Sequence, residues 1–133
     1  MDTTSQRLAK KAHEQVTAVA NEHPKDSKER QKYGSMAHKL PVLIRKSGLA
    51  QALAFVQAKA AKEAIYSKLL DHIAEAVEWP DANSGAALAT KSREEQLDNY
   101  ILLTRRVSAA LIWYKRFAES ILDIEQGKDE GGE

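Results

Sequence analysis

From Ser92 to Leu122 the chain reads SREEQLDNYILLTRRVSAALIWYKRFAESIL. Leu97, Tyr100, Thr104, Val107, Leu111, Tyr114, Phe117, Ile121 and Leu122 recur in it at three- and four-residue spacing, the period of one helix face. Ser92-Arg93-Glu94-Glu95 places a hydroxyl three residues before a carboxylate, the pattern of a capping box. The longest helix is therefore expected to open at Ser92 and run to about Gln126, a rod of roughly 50 Å. A domain of this size cannot cover such a rod, so its end is expected to project or to meet a partner.

The segments before it tell the same story. Leu8, Ala12, Val16 and Val19 mark one face of a first helix, expected from Thr4 to about Asn21 and stopped by His23-Pro24. Asp26-Ser27-Lys28-Glu29 is a second capping-box pattern, and the helix after it is expected to reach about Lys39. Pro41 then either kinks that helix or opens a short new one at its first position. After Ser47-Gly48, Leu53, Val56, Ala60, Ile65, Leu69, Ile73 and Val77 provide a buried stripe. That stretch runs to Glu78, either unbroken or split near Ala60-Ala61-Lys62. Trp79 to Gly85 reads as a surface loop. β-branched runs are few, and no Asn-Gly or Asp-Gly hairpin signal occurs. The expectation is an all-α, single-domain bundle of about five to six helices over residues 1–126, with 127–133 as an acidic flexible tail.

Composition narrows the function classes. With no cysteine among 133 residues, disulfides and thiol chemistry are excluded. The first residues lack the plan of a signal peptide, and no apolar run reaches the ~20 residues of a membrane span. A soluble, cytoplasmic protein without membrane contact is expected. The net charge of +1 hides an uneven layout. Glu119 to Glu133 holds six acids and one base, so residues 1–118 carry +6. A basic body with an acidic end suggests an anionic partner.

Catalytic patterns are missing. The six glycines are scattered and form no phosphate-cradling loop. His72 has Glu75 at helical spacing, but no second such pair exists to complete a helical metal site, and it reads as a structural histidine. Glu94, Glu95 and Asp98 read as helix-start carboxylates rather than as acid–base groups. No cofactor and no small-molecule substrate are expected. Phe55 and Phe117 read as core residues. Trp113, beside Lys115 and Arg116, reads as core first, partner contact second and stacking platform third.

Two stretches are more specific. Tyr33-Gly34-Ser35 leads to Leu40-Pro41-Val42-Leu43-Ile44-Arg45-Lys46-Ser47-Gly48-Leu49-Ala50-Gln51-Ala52-Leu53-Ala54-Phe55, with Lys59 just beyond. Tyr100-Ile101-Leu102-Leu103-Thr104-Arg105-Arg106 continues to Ala110-Leu111-Ile112-Trp113-Tyr114-Lys115-Arg116-Phe117-Ala118-Glu119. Together with Gln6-Arg7-Leu8-Ala9 they resemble the small, all-helical subunit of the Cmr (type III-B) CRISPR RNA-guided effector complex. The match is weakest over residues 60–95 and the tail. The resemblance implies a non-catalytic structural subunit in antiviral defence, not an enzyme. It would stack with neighbouring copies and other Cmr subunits along the guide RNA/target RNA duplex. Lysine and arginine contact phosphates without reading sequence, which suits a subunit that must accept any guide. Within the matching motifs the candidates for RNA contact are Arg45, Lys46, Lys59, Arg105, Lys115 and Arg116, with Lys39 beside them. Arg105 and Arg116, eleven residues or about three turns apart, are placed to line one face. The alternative is a helical protein–protein adaptor with no nucleic-acid contact.

Overall fold

The computed structural model describes residues 3–126. Six helices follow one another there: α1 (Thr4–Glu22), α2 (Lys28–Ser47), α3 (Leu49–Ala60), α4 (Ala64–Val77), α5 (Gly85–Glu94) and α6 (Leu97–Ser120). No strand occurs among the described residues. The expected tail, 127–133, lies outside them.

Local chemistry sets most helix starts. Thr3 caps α1, accepting from Gln6 N–H at 3.0 Å while the Gln6 side chain accepts from Thr3 N–H at 2.8 Å. The cap of α2 is Ser27, whose hydroxyl accepts from Arg30 N–H, one residue later than the Asp26–Glu29 pattern implied. Pro41 opens no new helix; α2 continues past the expected end near Lys39, through the proline, to Ser47. Lacking an N–H, Pro41 leaves one intrahelical bond unmade, and α2 tolerates this because its Leu40 and Ile44 side chains are buried on either side. Gly48, at φ 87°, then turns the chain into α3, and the Tyr100 hydroxyl accepts from Ala50 N–H at 3.1 Å. The long apolar stretch is split, with Ala61, Lys62 and Glu63 between α3 and α4.

Two further expectations, on the last helix, fail. Ser92 does not cap it. Ser92 is buried inside α5, where its hydroxyl donates to the Ala89 carbonyl at 2.6 Å. Ser84 instead caps α5, accepting from Ala87 N–H and starting a helix at Gly85, where the sequence pattern pointed to the end of a surface loop, while the cap position of α6 falls to Gln96. Nor does α6 run on to Gln126. It ends at Ser120 after 24 residues, roughly 36 Å, and Asp123 at φ 62° reverses the chain. Leu122 and Ile124 are buried rather than projecting. Ile124 lies against Gly34, where even a Cβ would come within 2.5 Å of Ile124 Cδ1.

The turn is pinned by polar groups of α2. His38 Nε2 meets the Ile124 carbonyl at 2.8 Å. The Arg30 guanidinium donates to the carbonyls of Ile121 (3.1 Å) and Leu122 (3.3 Å) and to those of Ala20 (3.4 Å) and His23 (3.3 Å). It thereby gathers the carboxyl ends of α1 and α6 at one point. These two helices run side by side in the same sense, since His13 also meets Phe117, ring centroids 5.2 Å apart.

Leu8, Val16, Leu40, Leu53, Leu69, Ile73, Leu103 and Leu111 form the centre of one apolar core. A polar cluster crosses it. Gln15 donates to the His72 carbonyl and to Glu75, each at 3.1 Å. The Tyr114 hydroxyl donates to Gln15 and, at 2.9 Å, to the His72 carbonyl. The Tyr33 hydroxyl and His72 Nδ1 share a 2.7 Å hydrogen bond. Burial holds both phenols protonated far above the usual tyrosine range.

Two tests follow from this packing. Arg30→Lys keeps the charge but cannot fork to four carbonyls; it should lower the unfolding free energy by about 1–3 kcal/mol in urea titration. Burial also pushes the His72 pKa below the ordinary 6.5, against the opposing pull of Glu75. The unfolded chain then takes up its proton at higher pH than the folded one. Stability is full above about pH 6.5 and falls as the medium becomes more acid. His72→Gln should flatten the decline in Tm between pH 7.5 and 5 relative to the parent chain.

Candidate nucleic-acid interface

The seven basic candidates fall into sets fixed by the helices that hold them. On α2 and α3, Lys39 and Lys59 share one aromatic ring, their ammonium nitrogens 5.8 and 5.4 Å from the Phe55 centroid. Lys59 also lies 5.8 Å from the Tyr66 ring. Phe55 was expected in the core and is not there. The stripe of α3 that packs inward is Leu49, Ala52, Leu53 and Val56, and Phe55 falls beside it, 36% exposed. A ring between two ammonium groups attracts both and restricts their motion without itself supplying a counter-charge. Arg45 and Lys46 stand exposed on the last turn of α2, where cations also favour the negative end of the helix.

On α6, Arg105 and Arg116 are exposed and Lys115 is half-buried. Arg105 lines a groove of about 490 Å³ together with Arg7, Glu78 and Arg106. Arg116 lines an adjoining groove of about 460 Å³ with Ile112 and Trp113. Thr4, Leu8 and Ala109 line both, so the two are continuous along the seam of α1 and α6. The expectation that Arg105 and Arg116 share a face holds in that sense.

Neighbours orient these guanidiniums. Arg7 pairs with Glu78 at 2.9 Å. Arg106 lies over the Trp79 ring, 5.2 Å from its centroid, and Trp79 Nε1 in turn donates to Glu95 at 2.9 Å. Arg116 lies 5.6 Å from the Trp113 centroid, and Trp113 stacks on Phe117 at 5.9 Å. Trp113 and Phe117 are thus half-buried platforms packed against the core rather than members of it.

Sequence reasoning missed Arg7, Arg106 and Trp79. Arg7 stood in the Gln6-Arg7-Leu8-Ala9 motif at the start of the chain, and nothing local says that α1 lies parallel to α6. Arg106 adjoins Arg105 in the same motif, and that adjacency was the one signal available. Other candidates proved structural: His72 and Glu75 both serve the buried polar cluster. Among the described residues no three of His, Cys, Asp and Glu gather as a metal-binding group, and no helix is long and apolar enough to cross a membrane.

The architecture defines a class: a small all-α protein whose core is closed and whose cations are arrayed over exposed rings and a shallow interhelical groove. Residues 4–121 match the family described as CRISPR-associated protein (Cas_Cmr5), and the chain belongs to that family. It is 42% identical over 123 residues to the CRISPR system Cmr subunit Cmr5 of Thermus thermophilus, covering 92% of this chain and 99% of that one. The crystal structure of a CRISPR-associated Cmr5 family protein from Thermus thermophilus superposes with a TM-score of 0.78 at 38% identity. That match covers 91% of this chain and 98% of the other.

The cation–ring contacts give this surface a testable property. Phe55→Ala should leave fold and Tm nearly unchanged, because the ring is partly exposed, yet broaden the Lys39 and Lys59 Nζ environments. Side-chain NMR of the two ammonium groups checks this through loss of their ring-current shifts.

Proposed function

We propose that this chain is a structural subunit of a Cmr-type CRISPR effector complex in antiviral defence, where it helps hold the guide RNA/target RNA duplex. Family membership supports the subunit role. The observation that carries the RNA contact is the paired Lys39 and Lys59 on Phe55, on the same helices as exposed Arg45 and Lys46. Four cations on α2 and α3 suit a phosphate backbone, which is bound by charge and not by sequence. Arg105, Lys115 and Arg116 add to the positive field along α6. The closed core and the scattered titratable groups fit a scaffold in which base pairing supplies recognition and other chains supply chemistry. The partners are then other Cmr subunits, neighbouring copies of this chain, and the two RNA strands, in the cytoplasm.

The test is charge reversal within the co-expressed complex. Arg45→Glu with Lys46→Glu should leave helical content intact and shift Tm by at most a few degrees. RNA retention should fall, and the slope of log affinity against log salt should flatten by roughly 0.7–0.9 for every phosphate that is no longer neutralised. Normal assembly with an unchanged slope would instead identify a protein–protein adaptor that does not touch RNA.

A further inference from the structure

The segment after α6 runs along one row of α2. Arg30, Gly34 and His38 follow one another at four-residue steps, a single line on the helix surface. The Arg30 guanidinium holds the Leu122 carbonyl, the Ile124 side chain lies over Gly34, and His38 Nε2 meets the Ile124 carbonyl at 2.8 Å. The chain therefore advances from the start of α2 toward its end, and Glu125 and Gln126 are exposed just beyond His38. Lys39 is the next residue of that helix and shares the Phe55 ring with Lys59. Residues 127–133 add a reach of at most roughly 25 Å when extended, more than the step from His38 to either lysine requires.

Charge decides what this reach is for. Residues 125–133 hold Glu125, Asp129, Glu130 and Glu133 against Lys128, a net −3, and no apolar side chain follows Ile124. Cations nearer the point of departure are already engaged: Arg30 by its carbonyls, Lys25 by Asp123 at 2.9 Å and Lys32 by Glu63. Lys28 stands at the opposite end of α2. Ahead of the chain lie Lys39 and Lys59, whose shared ring supplies no counter-charge. We propose that residues 125–133 dock across Lys39 and Lys59 and compete with RNA for them. Attachment raises the local concentration of these carboxylates to the millimolar range, so a weak contact forms without any partner. A duplex carries many closely spaced phosphates and displaces it, whereas a sparsely charged polymer does not. The family match ends at residue 121, so these acids lie outside the matched residues. The competition rests on the RNA reading above; the docking itself does not.

The absence of native cysteine allows one nitroxide label, on Gly131→Cys in the full chain. Without RNA, at about 0.01 M salt, the label should broaden the NMR signals of Phe55 and Lys59 more than those of Ile112 and Trp113 on the α1/α6 seam. At about 1 M salt the Debye length falls from roughly 30 Å to roughly 3 Å, and the broadening should fade. Asp129→Asn, Glu130→Gln and Glu133→Gln together should abolish it. The same neutralised chain should bind a short fluorescent RNA duplex about two- to tenfold more tightly at the low salt and equally at the high. Equal broadening at both places, or none, would overturn the docking. Docking without any gain in affinity on neutralisation overturns the competition. A duplex that binds neither chain removes the RNA reading and the competition with it, while the broadening still decides the docking.

Discussion

Two helices that run the same way, side by side, bring like ends of their dipoles together, and the arrangement needs a charge at the junction. In this molecule Arg30 supplies it. Its guanidinium forks among four carbonyls, two from the end of α1 and two from the end of α6. The contact offsets the accumulated negative ends and fixes the register of one helix against the other. The seam toward the opposite end follows from that register: Arg7 comes abreast of Arg105 and Arg106, and Leu8 abreast of Ala109. The interhelical groove is thus a consequence of a contact some four turns away.

The polar cluster of Gln15, Tyr33, His72 and Tyr114 serves the same end from inside the core. Apolar side chains supply the driving force but tolerate sliding, because area burial has no direction. Hydrogen bonds between Tyr114, Gln15 and the His72 carbonyl do not tolerate it, since a shift of one turn would strand buried donors at a cost of about 1–3 kcal/mol each. They join α1, α4 and α6, while Tyr33 ties α2 to the same histidine. Four helices therefore share one set of bonds.

The surface follows a different logic. Lysines are held against an exposed ring on α3, while arginines line a seam with aliphatic and indole groups. Ammonium groups suit a repetitive phosphate backbone. Guanidiniums beside indole and isoleucine are the composition of protein contacts. The division suits a Cmr5-family subunit with one face toward RNA and another toward protein, as proposed above.

The helical class, the inward faces of α1, α3 and α4 and the turn at Gly48 were all legible in the sequence, because periodicity and glycine act within a few residues. The family resemblance was legible too, through motifs on α2, α3 and α6. Ser92 misled because the same hydroxyl-to-carboxylate spacing serves a helix start or a buried back-bond to Ala89, and only the packing of α5 decides which. Leu122 and Ile124 continued an apolar pattern that could as well have prolonged α6; the space over Gly34 made a fold-back better than extension. Phe55 looked like core by type and proved to be a platform, because burial depends on which stripe of α3 meets α4 and α5. The sequence by itself determined where helices form and which side of each is apolar, since these rest on local geometry. Which helices lie parallel, where α6 stops and which cations share a groove were decided only by tertiary structure, because those outcomes depend on groups far apart in the chain competing for the same space.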